Sequence, residues 1–290
     1  MAAERPLIWA LAAIALWSTN AFVAKLVLAD LPVSTVQFLQ FAGATMVFAA
    51  MRFSTGDRAP VFALPTAALA LGLAGLVGTM VLQYLAFSLM PVIEANLIAY
   101  TWPLLVAAGL ILAGRAARPL RLGLLSVTGF LGAALVITGG HHPMTGSGEI
   151  WGYIAAIGSA LCMAVYTLYV ARVSVSPQRL LLPSAIIGLA GTAAWSLWHG
   201  LPEASASTLL AGLYLGAGPM GLGYLFWSRA MRADTGGRAA ILAYLTPIGS
   251  TALLFASGEN LTQIAALGAA LVIAACIAVG AQQNERKVHA

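Results

Sequence analysis

Residues 84–103 read YLAFSLMPVIEANLIAYTWP, and residues 224–247 read YLFWSRAMRADTGGRAAILAYLTP. The two stretches share a Y-L-x-[FW]-S segment, a turn and an A-Y-x-x-P segment, and the turn of the second is four residues longer. The matched positions are Tyr84, Leu85, Ser88, Ala95, Ala99, Tyr100 and Pro103 in the first stretch and Tyr224, Leu225, Ser228, Ala239, Ala243, Tyr244 and Pro247 in the second. Because an internal repeat reflects a repeated structural unit, this pair predicts a chain built from two related halves.

The amino-acid composition is typical of a membrane protein. Hydrophobic residues make up 61% of the 290 residues and charged residues 8%, whereas soluble domains contain about 25% charged residues. Cys162 and Cys276 lie in apolar runs, which indicates core positions rather than a disulfide or a metal site. The four histidines show no metal-ligand spacing. We therefore predict no metal and no cofactor, and we expect a lipid bilayer to surround the chain.

Ten apolar segments approach the roughly 20 residues that a helix needs to cross a bilayer. Because lipid requires backbone groups to be satisfied within each span, these segments are predicted to be helices. They cover residues 7–28, 33–51, 65–89, 94–113, 121–139, 150–171, 181–199, 208–230, 238–257 and 262–281. We therefore predict an all-α integral membrane protein, with five helices in residues 1–145 and five in residues 146–290.

The basic residues predict the orientation of these helices. Alternate connections hold 13 of the 14 basic residues, and only Lys25 lies near the opposite face. Since connections rich in Lys and Arg face the cytoplasm, both termini are expected there. The net charge of +5 then reflects membrane topology, and no nucleic-acid partner is predicted. The first repeated motif turns outside and the second turns inside, so the two five-helix repeats are predicted to be inverted, as in many secondary transporters.

The sequence resembles the drug/metabolite transporter superfamily, in its EamA-type branch. The resemblance covers essentially the whole chain. It rests on A-x-x-x-A-Y-x-x-P in the fourth and ninth helices and on the sequence WSTN at residues 17–20 in the first helix. The resemblance implies a central cavity lined by the first, third, fourth, sixth, eighth and ninth helices. It also implies efflux of small metabolites, without ATP, across the inner membrane of a bacterium.

Pro103 and Pro247 are predicted to bend the fourth and ninth helices. Each proline removes an amide donor and crowds the carbonyl four residues earlier. In lipid, a carbonyl freed in this way is tolerated only against protein or a water-filled cavity. The two prolines are therefore either static kinks or bends that line or gate a transport pathway. Their occurrence in both halves favours the second interpretation, bends that line or gate a transport pathway.

Aromatic and amide side chains near the middle of the predicted helices are the candidates for substrate contacts. Tyr100 and Tyr244 lie about 10 Å inside their helices, which is deeper than the interfacial aromatic belt. The complete predicted set is Trp17, Asn20, Gln83, Tyr84, Asn96, Tyr100, Trp102, Tyr166, Tyr224, Trp227 and Tyr244. Each of these side chains has a second interpretation as helix packing, because a buried Tyr, Trp or amide requires only a hydrogen-bond partner.

Fixed charge is nearly absent from the predicted helices. Glu94 is the carboxylate nearest to a span interior, and Lys25 is the basic candidate. A deep carboxylate would be the default proton or cation site, and an anionic substrate would require several cavity Lys or Arg residues. Lys25 either contacts a passing carboxylate, extends to the outer headgroups or pairs with Glu94. A nearly uncharged cavity with a few polar groups suits the zwitterionic aromatic amino acids tryptophan, phenylalanine and tyrosine.

The sequence distinguishes three classes of function, namely a transporter, an enzyme and a channel. The sequence favours an exporter of aromatic amino acids that works by alternating access, and the alternative is a broad-specificity exporter of drugs or other metabolites from the same superfamily. An enzyme is disfavoured because the chain has no HExxH, no GxSxG and no pair of deep carboxylates. A channel is disfavoured because paired mid-helix prolines in an inverted repeat favour alternating access over a static pore.

Overall fold

The computed structural model describes residues 6–140, 146–200, 202–234, 238–257 and 262–288. Regular structure within these ranges is entirely helical. Nine helices there are long and apolar enough to cross a membrane, and the apolar part of the last helix, Gln263–Val279, is shorter. The all-helical membrane architecture is therefore confirmed, while the count of ten spans and the inversion of the repeats stay predictions.

The helices agree closely with the apolar segments of the sequence. Two predicted features, the basic residue Arg5 before the first helix and the end of the first repeat at residue 145, lie outside the described residues. In chain order the helices are α1 Pro6–Asp30, α2 Val33–Ser54, α3 Thr66–Leu89, α4 Val92–Leu112, α5 Pro119–Thr138, α6 Ile150–Arg172, α7 Pro177–His199, α8 Ala206–Ala233, α9 Ala239–Ala256 and α10 Gln263–Val288.

Two of these helices contain a π-helical segment, in which the hydrogen bonds run from residue i to residue i+5. In α3 the segment is Leu73–Gly78, and in α8 it is Gly216–Leu222. Pro219 lies inside the second segment and has no amide hydrogen, which prevents the ordinary helical bond at that position. Such segments are frequent at functional sites, because they shift the helical register and leave carbonyl groups for other partners.

Two other helices are interrupted where the sequence predicted a bend. The helical pattern stops at Tyr100 and Thr101 in α4 and at Ala243 and Tyr244 in α9. The prolines follow directly: Pro103 lies in the first turn of Trp102–Leu112, and Pro247 lies in the first turn of Leu245–Ala256. A proline is tolerated in a first turn because its missing amide would have no helical partner there. Each predicted bend is therefore a break followed by a new segment.

The helix contacts follow one pattern in both halves of the chain. Helix α1 packs against α8 and α9, and α6, five helices later, packs against α3 and α4. Helix α2 packs against α7, and α5 packs against α10. Each half therefore contributes helices to both sides of the bundle, which leaves a central space between the group of α1, α8 and α9 and the group of α3, α4 and α6.

Arginine side chains tie the connections together at one end of the bundle. Arg179 at the start of α7 forms an ion pair with Asp57 in the α2–α3 connection, with Nε and Oδ2 3.2 Å apart. Arg232 at the end of α8 donates a hydrogen bond to the carbonyl of Val175, which precedes α7. This end, defined by Arg179 and Arg232, is called the arginine-bearing end below.

Helices α5 and α10 cross with their backbones in contact at two glycines. A Cβ atom on Gly132 would lie 2.7 Å from the carbonyl oxygen of Gly268, and a Cβ atom on Gly268 would lie 2.6 Å from that of Gly132. Small residues permit such close approach of membrane helices. Since a backbone cannot yield as a flexible side chain does, Gly268→Ala is expected to lower the free energy of unfolding by about 1–3 kcal/mol.

The measurement is thermal unfolding of the purified protein in detergent, with a lower midpoint expected for Gly268→Ala. The matched control is Gly191→Ala, because a Cβ atom on Gly191 would meet nothing within 4 Å. The control midpoint should stay the same or rise slightly, since alanine favours helix more than glycine does. Equal midpoints for the two variants would contradict a tight crossing at Gly268.

Candidate functional site

A cavity lies about half-way along the helices, in the space between the two helix groups. Its empty volume, including the open mouth, is about 720 Å³. The lining residues come from α1, α3, α4, α6, α8 and α9, the six helices that the family resemblance implied, and from Gln40 of α2. None of the described lining residues is acidic or basic.

Several of the predicted contact residues come together in this cavity. They are spread over α1, α3, α4 and α8, and their side chains combine aromatic surface with amide and hydroxyl groups. Those that line the cavity are Trp17, Asn20, Gln83, Tyr100, Trp102 and Tyr224.

The other predicted contact residues are located elsewhere. Tyr84, Tyr166, Trp227 and Tyr244 are fully buried behind the lining residues, and Asn96 is half-buried on α4. None of these residues is among those that line the cavity. The side chains of Tyr84, Tyr166 and Trp227 are instead hydrogen bonded to side chains of neighbouring helices.

The prolines and the basic candidate also lie outside the lining. Pro103 and Pro247 are buried in the helix segments that follow the breaks. Lys25 is exposed on α1, beyond the set of residues that line the cavity. Glu94 is buried in the first turn of α4, where its Oε2 accepts a hydrogen bond of 2.5 Å from the Tyr153 hydroxyl.

The structure adds lining residues that the sequence did not predict. Most are small, apolar or hydroxyl side chains, and such side chains carry little signal in a chain that is apolar throughout. They are Gln40, Thr79, Met80, Ala99, Ser159, Ala160, Met163, Pro219, Met220, Ala243 and Thr246. The Gly- and Pro-rich run at residues 216–223 was the one local signal for part of this set.

A chain of buried polar groups supports one side of the cavity. Gln37 and Gln40 of α2 are fully buried. Gln37 Nε2 donates to Gln40 Oε1 at 2.6 Å, and Gln40 Nε2 donates to the Tyr84 hydroxyl at 2.8 Å. The Asn20 side chain is also hydrogen bonded to this hydroxyl. Because buried amides are costly without partners, this network holds the amides of Gln40 and Asn20 in place at the cavity.

A layer of aromatic rings separates the cavity from the arginine-bearing end. Trp227 is fully buried, with its ring centroid 5.2 Å from that of Trp17 and 5.4 Å from that of Trp102. Its indole N–H donates to the Thr167 hydroxyl of α6 at 3.1 Å. Trp227 lies further along α8 toward Arg232 than the lining residues do. Trp227 therefore lies between the lining residues of α8 and the arginine-bearing end, out of contact with solvent.

A second contact between α6 and α8 lies beside this layer. The Tyr166 hydroxyl and the Ser228 hydroxyl are 2.5 Å apart, and the rings of Tyr166 and Tyr224 have centroids 5.8 Å apart. Ser228 also donates to the carbonyl of Tyr224 at 2.5 Å. These contacts join the helix group of α3, α4 and α6 to that of α1, α8 and α9, between the cavity and the arginine-bearing end.

The carbonyl groups near the π-helical segments are capped by side chains from the first helix of each half. The indole N–H of Trp17 in α1 donates to the carbonyl of Pro219 in α8 at 2.9 Å. The Ser159 hydroxyl in α6 donates to the carbonyl of Thr79, directly after the α3 segment, also at 2.9 Å. Both pairs lie at the cavity, so the irregular backbone of α3 and α8 forms part of its lining.

Comparison with known proteins agrees with this architecture. The model of the EamA-like transporter family matches the chain twice, at residues 5–138 and 150–281. The chain belongs to the EamA-like transporter family. This EamA-like protein is 31% identical, over 277 residues and 92% of each chain, to the aromatic amino acid exporter YddG of Ancylobacter novellus. A crystal structure with 27% identity superposes with a TM-score of 0.82 and covers 96% of this chain and 97% of its own.

The family assignment confirms the resemblance drawn from the sequence. The protein is a multi-pass membrane transporter that acts on a small molecule, and the architecture described above is that of a membrane exporter. The bilayer that the composition predicted is its environment.

Proposed function

We propose that this EamA-like protein exports aromatic amino acids, namely tryptophan, phenylalanine and tyrosine, across the inner membrane of a bacterium. The observation that carries the proposal is a cavity without fixed charge whose lining combines aromatic rings with amides. Trp17 and Trp102 supply ring surface, and Asn20, Gln40 and Gln83 supply both donors and acceptors. A zwitterion has no net charge to neutralise, so the dipoles of fixed side-chain amides stabilise it better than a single charged residue would.

The physical fit of an aromatic amino acid has two parts. Aromatic pairs gain roughly 0.5–1.5 kcal/mol beyond the burial of their area, which favours a flat side chain over an aliphatic one. The ammonium and carboxylate groups lose hydration on entry, and hydrogen bonds to fixed amides offset that loss. The printed name of the relative from Ancylobacter novellus, an aromatic amino acid exporter, supports the same substrate class.

Alternating access is the proposed mechanism. The recurrence of one packing pattern, α1 with α8 and α9 and α6 with α3 and α4, supports two inverted five-helix repeats at residues 1–145 and 146–290. The aromatic layer around Trp227 closes the arginine-bearing side, so export requires a second state in which this layer opens and the opposite mouth closes. The breaks in α4 and α9 and the π-helical segments in α3 and α8 are the proposed hinges.

Both termini are proposed to lie in the cytoplasm, on the arginine-bearing side. Single cysteines in a background of Cys162→Ala and Cys276→Ala test this topology with an impermeant maleimide on intact cells. Glu203→Cys, exposed before α8, should react at once because it lies outside. Arg58→Cys, exposed between α2 and α3, should react only after the cells are permeabilised. The reverse pattern would overturn the orientation.

Counterflow in proteoliposomes tests the substrate. Labelled tryptophan should accumulate transiently in vesicles preloaded with unlabelled tryptophan, phenylalanine or tyrosine, and not in vesicles preloaded with glutamate or alanine. Repeating the assay with and without a pH gradient reveals any proton coupling. Tyr100→Ala should slow this exchange, because it removes a cavity-lining ring and hydroxyl. No tryptophan flux would refute the proposal, and equal exchange with a wide panel of solutes would indicate a broad-specificity exporter instead.

A further inference from the structure

Two side chains of very different size donate similar hydrogen bonds to backbone carbonyls at the cavity. Trp17 bonds to the carbonyl of Pro219, and Ser159 bonds to the carbonyl of Thr79, both at 2.9 Å. Ser159 follows Trp17 by 142 positions, the offset that separates the IW pair at residues 8–9 from that at residues 150–151. Pro219 follows Thr79 by 140 positions, the offset that relates the two YL motifs. The two bonds therefore occupy corresponding places in the two repeats.

The residues beside the two donors differ in size in the opposite sense to the donors themselves. Gly223 lies against Trp17, and a Cβ atom on Gly223 would be 2.6 Å from the indole nitrogen. The position corresponding to Gly223 at the offset of 140 is Gln83, which lines the cavity. One side of the cavity thus carries a large ring beside a glycine, and the other carries a small serine beside a long amide. Ser159 and Ala160, two small side chains, line the cavity at this place.

The part of the cavity next to Ser159, called the recess below, has a mostly apolar lining. Ala160 and Met163 of α6 and Met80 of α3 line it together with Ser159, whose hydroxyl is already bonded to the Thr79 carbonyl. Methionine adapts its shape to neighbouring groups, and its sulfur makes favourable contacts with aromatic rings. The Gln83 amide also lines the cavity. The recess therefore offers space and apolar contact to a flat ring, with a hydrogen-bonding group nearby.

We infer that this recess beside Ser159 and Ala160 receives the ring of the substrate, and that the small size of Ser159 sets the largest ring the transporter accepts. The amino and carboxylate groups of the substrate then face the amides of Asn20 and Gln83. The inference rests on the proposed export of aromatic amino acids and adds to it a bound orientation and a specificity-determining residue.

Graded substitution of Ser159 tests the inference by counterflow of tryptophan and phenylalanine. Ser159→Ala keeps the space and loses the bond to Thr79, so both rates should fall by the same factor of about three and their ratio should stay unchanged. Ser159→Val and Ser159→Leu fill the recess step by step. Because tryptophan has the larger ring, its rate should fall by about tenfold in Ser159→Leu, and the ratio of tryptophan to phenylalanine transport should fall by about threefold.

Two further variants separate an effect of the recess from a general effect on the helix or on folding. Val165→Leu, on the exposed face of the same helix, should leave both rates and their ratio unchanged. The double variant Ser159→Trp with Gln83→Gly copies the Trp17 and Gly223 arrangement into the other repeat. This variant should fold even where Ser159→Leu alone does not, and its tryptophan transport should be lost.

The outcomes separate this inference from the proposed function. If the wild-type protein moves both amino acids and the ratio stays constant through the Ser159 series, export stands and the assignment of the recess is overturned. If the wild-type protein moves neither amino acid, the proposed function fails and the assignment falls with it. A ratio that declines as the side chain at position 159 grows supports both.

Discussion

Replacing Trp17 with alanine is expected to reduce tryptophan counterflow by about tenfold, which corresponds to about 1.4 kcal/mol of transition-state stabilisation. The indole forms part of the cavity lining, packs against Trp227 at a centroid distance of 5.2 Å and donates to the Pro219 carbonyl. Its removal takes away ring surface for the substrate. It also leaves a carbonyl of the π-helical segment without its donor, which loosens the backbone of α8 at the cavity.

A second substitution at the same position separates the two effects. Trp17→Phe keeps an aromatic ring and loses the indole N–H, so the loss of transport should be about threefold. The matched control is Trp151→Ala, which removes a tryptophan that is 66% exposed at the start of α6, the position corresponding to Trp9. Transport by the control should equal that of the wild type. Equal transport by Trp17→Ala and Trp151→Ala would remove Trp17 from the site.

Replacing Trp227 with alanine is expected to lower the free energy of unfolding by about 3–5 kcal/mol and to abolish most transport. Trp227 is fully buried between Trp17 and Trp102, and its N–H is bonded to Thr167. The truncation leaves a cavity in the aromatic layer, leaves the Thr167 hydroxyl without this partner and breaks a contact between α6 and α8. The state closed on the arginine-bearing side is therefore destabilised together with the fold.

Unfolding of the purified protein in mixed micelles with increasing SDS measures the stability change. Trp198→Ala provides the control, because Trp198 is 88% exposed near the end of α7 and its loss leaves no internal cavity. Trp227→Phe should recover part of the stability, because a ring again fills most of the space. A Trp227→Ala protein with wild-type stability would show that the aromatic layer does not hold the two helix groups together.

The sequence predicted the architecture well because lipid leaves few alternatives. Apolar runs of about 20 residues in a chain with few charges can only be spanning helices, and the predicted segment at residues 7–28 agrees with Pro6–Asp30. The breaks in α4 and α9 were foreseen from Pro103 and Pro247, since proline removes a backbone donor wherever it stands. These features depend on the local chain alone.

Which face of a helix meets the cavity was much harder to predict. A membrane helix is apolar on every side, so the sequence carries no amphipathic signal that separates cavity from neighbour. Tyr84 and Trp227 were predicted to contact the substrate, yet neither lines the cavity, and they are buried with bonds to Gln40 and to Thr167. Only the packing of helices distant in sequence decides this choice.

The small lining residues were missed for a related reason. Ser159 and Ala160 contribute to the cavity by being small. A small residue in an apolar helix has no sequence pattern that distinguishes a cavity wall from a helix contact. The π-helical segment at Leu73–Gly78 also shifts the helical register just before Thr79 and Met80, so a regular spacing of 3.6 residues per turn misplaces them. The correspondence of Trp17 with Ser159 became informative only when the structure placed both at the carbonyls of α8 and α3.

A structure of the protein with L-tryptophan bound tests most directly that the uncharged central cavity is the transport site. We expect density for one tryptophan between Trp17 and Ser159, with its ring beside Ala160 and its amino and carboxylate groups toward Asn20 and Gln83. Tryptophan bound on the lipid-facing surface, with the central cavity empty at saturating concentration, would contradict it.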